Sequence, residues 1–299
     1  MRAADGVRLR LGHWPANGHE DRPAREGEAV RGTVLLFPGR TEYIEKYGPT
    51  ARDLTGAGWD VLAVDWRGQG LSDRLAGDPA LGHVELFSDY QRDVAAMAGH
   101  AEAAGLPRPW MLLAHSMGGC IGLAAIHDGL SVERAVFSAP MWGIHIAPKL
   151  RPFAWTVAWL AKHAGRSLHY APGRGPVNAE IVLFEGNPLT THHPTYQWLT
   201  AQLDAHPELA LGGPSLGWLR EALRESRRLR ALPPPAIPAL IGLGGDEGIV
   251  DPRAIERLAA RWHRGSLSDY PGARHELLME RPEIRDAFVG EMLRFLSRG

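Results

Sequence analysis

The stretch Trp110-Met111-Leu112-Leu113-Ala114-His115-Ser116-Met117-Gly118-Gly119 decides the fold. Its first five residues form a short apolar run typical of a strand buried on both faces, and its continuation predicts a helix to about residue 128. Ser116 therefore lies at a sharp turn between a strand and a helix, with the small residues Ala114 and Gly118 two positions away on either side. Small residues are needed there because the strand and the helix approach closely, and this context predicts a nucleophilic serine.

The same alternation of apolar runs and helical segments extends in both directions from Ser116. The other predicted strands cover 7–11, 33–37, 60–64, 135–138, 238–243 and 266–270. The other predicted helices cover 43–57, 88–104 with Ser88 as N-cap, 252–262 and 282–296. Short runs that are apolar on both faces and alternate with helices indicate an α/β fold with a mostly parallel, doubly wound sheet.

The segment 141–230 departs from this alternation. It is rich in Trp, His, Arg and Pro, its apolar residues have helical spacing, and it holds five of the ten tryptophans. Because the strand pattern resumes after it, we expect an inserted helical lid and not a separate domain. The predicted division is a core of residues 1–140 and 231–299 with a lid of residues 141–230, which is normal for one large domain of 299 residues.

Composition excludes several classes of protein. Hydrophobic residues make up 44% and charged residues 22%, as in soluble globular proteins. The 33 basic and 34 acidic residues nearly cancel, which argues against nucleic-acid binding, and one cysteine excludes an internal disulfide and a Cys-rich metal site. No apolar signal-peptide core and no apolar stretch of about 18 residues occurs. We therefore expect a cytoplasmic protein with no metal, no cofactor and no obligate protein partner.

A base for Ser116 is predicted at His275. The stretch 272–276 follows the last predicted strand and precedes the last helix, so His275 lies at the carboxyl end of the sheet, where Ser116 also emerges. Serine is a weak nucleophile at neutral pH and needs a base that accepts its proton. The chain order of nucleophile, acid and histidine then requires the acid to precede His275.

The acid is predicted in the stretch 243–251, which ends the preceding strand and contains three carboxylates. Spacing favours Glu247, which lies three residues after Gly244 and four before Asp251. Asp246 remains the alternative, because aspartate is the commoner acid and a shift of the loop by one residue would present it. Whichever carboxylate serves would fix the imidazole tautomer and stabilise the imidazolium.

Two backbone N–H groups must bind the oxyanion that forms during acyl transfer. One is that of Met117, directly after the nucleophile, at the start of the helix. The other comes from the loop after the strand at 33–37, where we predict the backbone N–H of Arg40 in the sequence Phe37-Pro38-Gly39-Arg40-Thr41-Glu42.

These motifs resemble the bacterial lysophospholipase and monoacylglycerol lipase branch of the α/β-hydrolases. The matching stretches are 37–47, 65–72 with its D-x-R-G-x-G-x-S pattern, 114–119, 187–190 and 272–276. Two residues depart from the pattern: Pro38 stands where monoacylglycerol lipases usually carry His, and Glu247 where the wider family usually has Asp. The resemblance implies an α/β-hydrolase fold with a lid and a serine esterase that cleaves lysophospholipids or monoacylglycerols through an acyl-enzyme.

Alternatives remain open within and outside this fold. Serine at the sharp turn between the strand and the helix, called the nucleophile elbow, argues against haloalkane dehalogenases and epoxide hydrolases. Those enzymes resemble this fold but carry Asp at that position. A proline-type aminopeptidase would need carboxylates in the lid to bind a free amine. The available candidates are Glu180, Glu185, Asp204 and Glu208. A hydrolase-like binding protein without turnover is a further alternative, which the complete set of serine, acid and histidine disfavours.

Three lid tryptophans are candidate substrate contacts: Trp142, Trp155 and Trp159. Core packing is the favoured interpretation, because a lid must also pack onto the sheet. The functional alternative is an apolar tunnel for an acyl chain or a face for peripheral contact with the inner membrane.

Overall fold

The computed structural model describes residues 1–16, 30–146, 165–177 and 183–298. Within these residues seven strands form one sheet in the order β1-β3-β2-β4-β5-β6-β7. The strands are β1 (Arg10–Trp14), β2 (Gly32–Phe37), β3 (Trp59–Asp65), β4 (Trp110–His115), β5 (Arg134–Ser138), β6 (Ala239–Gly244) and β7 (Gly265–Tyr270). Only β1 is antiparallel to its neighbour, and the other pairs are parallel. This is the mostly parallel sheet that the sequence predicts.

The helices of the described residues follow the predicted alternation. They are α1 (Gly48–Gly56), α2 (Tyr90–Ala103), α3 (Met117–His127), α4 (His193–Ala205), α5 (Leu216–Ala231), α6 (Pro252–Ala259) and α7 (Pro282–Leu296). Short 3-10 turns cover Ile44–Tyr47, Phe87–Asp89, Pro207–Leu209 and Leu277–Met279. The predicted last helix coincides with α7, where Pro282 takes the first helical position.

Three elements differ from the prediction at their ends. The first strand lies at Arg10–Trp14 instead of 7–11, because it pairs with β3 in the register Arg10 to Asp65. The helix predicted from residue 43 begins as a 3-10 turn, and α1 starts at Gly48 beside a proline at its first turn. Ser88 lies inside the 3-10 turn that precedes α2 and does not cap that helix.

Alternating side chains of each central strand enter two apolar clusters, one on each face of the sheet. In β4, Leu112 and Ala114 belong to one cluster, and Met111 and Leu113 belong to the other. All four are at most 3% exposed. Burial on both faces explains why β4 is an unbroken apolar run, since each fully buried aliphatic side chain stabilises the fold by about 1.5–3 kcal/mol.

The sheet order brings the functional loops together. β2 and β4 are neighbours, with Phe37 opposite Ala114, so the loop after β2 lies beside the turn after β4. The loops after β6 and β7 leave the same edge, because these strands run parallel to β4. Ligands of open parallel sheets bind at this carboxyl edge.

The described part of 141–230 contains α4, α5 and one 3-10 turn. Isolated bridges link this segment to the rest of the chain at Gly82 with Pro214 and at Ile144 with Val250. The division into core and lid, and a peripheral membrane contact of the lid, stay predictions. None of the helices in the described ranges is both long enough and apolar enough to span a bilayer.

Candidate active site

Ser116 lies on a strained turn between β4 and α3. Its φ of 50° and ψ of −117° are unusual for a residue other than glycine. Two backbone hydrogen bonds hold this geometry: Ser116 N–H donates to Ser138 O at 3.0 Å, and Met141 N–H donates to Ser116 O at 2.8 Å. A Cβ on Gly118 would lie 2.1 Å from Phe37 O, so only glycine fits where the helix crosses β2. The elbow predicted from the sequence is present.

His275 extends from the loop after β7 toward Ser116. Its Nε2 lies 2.9 Å from Ser116 Oγ, and its side chain is 4% exposed. The backbone of this loop is attached to the segment 187–190: His275 N–H donates to Pro188 O at 3.3 Å, and Glu276 N–H donates to Leu189 O at 2.9 Å. The segment that the resemblance singled out therefore supports the loop that carries the imidazole.

Of the two candidate acids, the structure brings Glu247 to the histidine. Its Oε2 lies 2.7 Å from His275 Nδ1, and its side chain is fully buried. Its Oε1 accepts the N–H groups of Ile249 at 2.6 Å and Val250 at 3.1 Å. Asp246 is exposed, and its backbone N–H donates to Ala273 O. The loop after β6 thus presents Glu247, as the spacing predicts.

The electrostatics of this pair favour a basic imidazole. Burial lowers the pKa of His275, but the charge and hydrogen bond of Glu247 outweigh burial, and the pKa is raised. Burial acts in the opposite direction on Glu247 and raises its pKa. The opposite charge of His275 outweighs the effect of burial, so the pKa of the carboxylate is lowered. The arrangement can remove a proton from Ser116 Oγ and hold the resulting imidazolium against a carboxylate.

The predicted oxyanion donors lie on the two loops that flank Ser116. Met117 is the first residue of α3, where backbone N–H groups have no intrahelical acceptor. Arg40 follows β2, and a Cβ on the preceding Gly39 would lie 3.1 Å from His115 Cδ2, so this loop is next to the elbow. The guanidinium of Arg40 reaches the 141–230 segment, where Nη2 donates to Gly212 O at 2.5 Å. The role of both N–H groups stays a prediction.

A buried ion network beside the histidine was missed from the sequence. Lys46 Nζ lies 2.6 Å from Glu42 Oε1 and 2.6 Å from Glu276 Oε2. Tyr47 OH donates to Glu42 Oε2 at 2.5 Å, and His115 Nε2 lies 3.5 Å from Glu42 Oε1. The spacing of Glu42 and Lys46 by four residues is the signal that could have indicated a pair. Burial lowers the pKa of His115 to about 3, so this imidazole is neutral.

Three of these groups could also be considered as metal ligands. Glu42, His115 and Glu276 are buried and have donor atoms within 4.8 Å of one another. Lys46 already supplies the positive charge between the two carboxylates. Both carboxylates therefore already have a cationic partner within the protein, and the cluster does not need a metal cation.

The tryptophans predicted to contact substrate fall into two groups. Trp142 is fully buried in the core, with its ring 5.1 Å from that of Phe137 and 6.0 Å from that of Trp262. Its Nε1 donates to Gly119 O at 3.1 Å, so it supports α3 from within the core instead of facing a substrate. Trp155 and Trp159 lie outside the described residues, as does Glu180.

Comparisons with known proteins show the family of this chain. A family model described as "Serine aminopeptidase, S33" matches residues 28–282. Lysophospholipase L2 of Escherichia coli is 34% identical over 275 residues, which cover 89% of this chain and 80% of the relative. A probable lysophospholipase L2 of Haemophilus influenzae is 31% identical over 272 residues, with coverages of 90% and 85%.

Solved structures show the same fold. A soluble variant of monoglyceride lipase from Saccharomyces cerevisiae superposes with a TM-score of 0.74 at 22% identity, covering 98% of this chain and 92% of that chain. A monoacylglycerol lipase from Paleococcus ferrophilus superposes with a TM-score of 0.70 at 19% identity, with coverages of 96% and 98%. The sheet described above is thus that of the α/β-hydrolases.

Proposed function

Because the chain belongs to the serine aminopeptidase S33 family of α/β-hydrolases and is a carboxylic ester hydrolase, we propose that it cleaves monoacyl lipids through an acyl-enzyme on Ser116. The observation that carries this proposal is the buried chain of hydrogen bonds from Ser116 through His275 to Glu247. The substrate class is supported by relatives named lysophospholipases, of which this chain covers four fifths or more.

The reaction proceeds in two halves. Ser116 Oγ attacks the ester carbonyl and transfers its proton to His275 Nε2, while Glu247 keeps the proton on Nδ1 and balances the imidazolium charge. The backbone N–H groups of Met117 and Arg40 bind the oxyanion of the tetrahedral intermediate. His275 then protonates the departing alcohol, glycerol or its phosphodiester derivative. Water repeats the sequence on the acyl-enzyme, releases the fatty acid and returns the proton to Ser116.

We propose that the segment 141–230 receives the acyl chain, because it is inserted between β5 and β6 and its described part bonds to the loops of Arg40, through Gly212 O, and of His275, through Pro188 O. A site for one chain suits monoacyl lipids better than diacyl lipids. Each buried methylene contributes about 0.8 kcal/mol, which corresponds to a three- to four-fold gain in kcat/KM until the site is full.

The family description favours a second candidate, a proline-type aminopeptidase. Such an enzyme needs carboxylates in the lid that bind a free amine, and an ion pair with an exposed carboxylate is weak. Of the carboxylates proposed for that purpose, Glu185, Asp204 and Glu208 are exposed, and Glu208 lies 3.3 Å from His206. These positions favour the esterase over the peptidase.

The decisive assay is a hydrolysis panel of p-nitrophenyl esters from acetate to palmitate, with lysophosphatidylcholine, monoacylglycerol and prolyl anilides beside them. We expect kcat/KM to rise with chain length and Ser116→Ala to lower kcat by about 10⁴-fold or more. Near wild-type turnover by the Ser116→Ala variant would refute the mechanism. A flat profile from acetate to octanoate would refute the lipid site, and cleavage of prolyl anilides would favour the peptidase. If a fluorophosphonate fails to label the wild type, the protein binds without turnover.

A further inference from the structure

The loop after β2 is held by two buried side chains that the sequence analysis did not assign. Gln69 Nε2 donates to Gly39 O at 2.8 Å and to Glu42 O at 3.2 Å, and its Oε1 accepts the N–H of Thr41 at 3.4 Å. The Glu42 carboxylate accepts the N–H of Gly39. Gln69 is 2% exposed and Glu42 is 4% exposed, so water does not compete for these bonds.

These bonds fix the peptide that carries the Arg40 N–H. A trans peptide is planar, so the C=O of Gly39 and the N–H of Arg40 point in opposite directions. Anchoring Gly39 O on Gln69 therefore aims the Arg40 N–H away from Gln69. The bond from Gly39 N–H to Glu42 fixes the preceding peptide as well, which leaves this turn little freedom to rotate.

Glu42 is itself immobilised. Lys46 joins its carboxylate to that of Glu276, the residue after His275, and Tyr47 donates to its other oxygen. Burial raises the pKa of Glu42, but the charge and hydrogen bond of Lys46 and the hydrogen bond of Tyr47 hold the pKa at about 2, so the carboxylate stays ionised. The two ion pairs of Lys46 thus connect the loop of the oxyanion donor to the loop of the catalytic base.

We propose that Gln69 and Glu42 are positioning residues that together set the direction of the Arg40 N–H toward the oxyanion. The proposal rests on the proposed acyl transfer at Ser116. An oxyanion exists only in the intermediate and the transition states that flank it, so a misdirected donor lowers kcat and leaves substrate binding almost unchanged.

Two substitutions test the proposal, each with a matched control. Gln69→Met keeps the volume and removes all three hydrogen bonds, and Gln91→Met is its control, because Gln91 Nε2 also donates to a backbone carbonyl, that of Ile121, at 3.2 Å. Glu42→Gln removes the charge and keeps one acceptor oxygen. Its control is Glu45→Gln in the 3-10 turn that follows Glu42, because the Glu45 carboxylate binds Arg10 at the surface.

Complete loss of one oxyanion donor lowers kcat by about 10²–10³-fold. Because the donor is misdirected and not removed, we expect Gln69→Met to lower kcat by about 10- to 100-fold and Glu42→Gln by about 10-fold, with KM within about two-fold. Affinity for an alkyl boronic acid, which forms a tetrahedral adduct with serine, should fall in parallel. Both controls should keep wild-type kcat, and thermal unfolding reports whether each variant is folded.

The outcomes separate this inference from the proposed function. If Gln69→Met and Glu42→Gln lose stability and keep kcat, the bonds are merely structural and the inference is overturned. A rise in KM at constant kcat also overturns it. If the Gln69→Met variant fails to fold, the kcat and KM of the Glu42→Gln variant test the inference. If a fluorophosphonate labels the wild type but not Ser116→Ala, the proposed acyl transfer at Ser116 stands whatever these variants do. Absence of labelling in the wild type refutes both.

Discussion

Replacing Glu247 by glutamine should abolish most of the activity through a change of imidazole tautomer. Glu247 Oε1 accepts two backbone N–H groups, from Ile249 at 2.6 Å and from Val250 at 3.1 Å. In the Glu247→Gln variant only the carbonyl oxygen can occupy that position, because an amide NH2 would face two donors. The NH2 group must then face His275 Nδ1.

The consequence follows from the ring chemistry. Nδ1 has to accept a hydrogen bond from the amide, so the ring proton moves to Nε2. Nε2 faces Ser116 Oγ at 2.9 Å and can no longer accept its proton. An asparagine in place of the triad acid lowers kcat by about 10⁴-fold in serine proteases for this reason. We expect a similar loss here, which corresponds to about 5.5 kcal/mol in the activation free energy.

The assay compares Glu247→Gln with Asp246→Asn, using a p-nitrophenyl ester at saturating concentration. Asp246 is exposed, so its variant should stay within about two-fold of the wild type. Both variants should unfold cooperatively, with midpoints measured by circular dichroism. Greater damage from Asp246→Asn, or more than a tenth of wild-type kcat in Glu247→Gln, would show that the assignment of the acid is wrong.

Two further predictions concern pH and packing. In the proposed mechanism the neutral imidazole of His275 is the base, and its pKa is raised above the ordinary value of about 6.5, so kcat/KM should fall as pH decreases through a midpoint above that value. A midpoint below it would contradict this role of His275. Gly118→Ala should destabilise the protein by about 3 kcal/mol in urea denaturation, since its Cβ would meet the backbone oxygen of Phe37 at 2.1 Å. Gly122→Ala is the milder control, because its Cβ would meet Leu112 Cδ2, the end of a side chain, at 2.8 Å; equal losses in the two variants would refute the argument.

The sequence predicts the sheet well because each central strand is buried on both faces. β4 and β5 carry apolar runs at 110–114 and 135–137 for that reason, and their predicted bounds agree with the structure to within one residue. The predicted bounds of the first strand were wrong because β1 is half-buried at the edge of the sheet. There the pairing with β3 sets the register, and the apolar pattern of β1 itself does not.

Local sequence also predicts Ser116, His275 and Glu247, because the glycines that surround them dictate tight turns at the ends of strands. Trp142 shows the limit of such patterns. Its residue type left core packing, the favoured interpretation, and substrate contact both open, and the ring packs on Phe137 of β5 and on Trp262, which follows α6. The contact with Trp262 joins residues that are far apart in the chain, so it depends on the assembled sheet and no local pattern encodes it.

The same limit explains why the buried ion network escaped notice. Glu42, Lys46 and Glu276 look like ordinary surface charges when they are read along the chain, since charged residues are almost never fully buried unless they are paired. Only the parallel order of β2, β4 and β7 places the turn after β2 against the loop after β7. Removing two carboxylates and one ammonium from water is costly, and the cost is offset by direct contacts of 2.6 Å. A buried ion cluster of this kind adds little net stability. We therefore infer that its role is to fix the direction of the Gly39–Arg40 peptide.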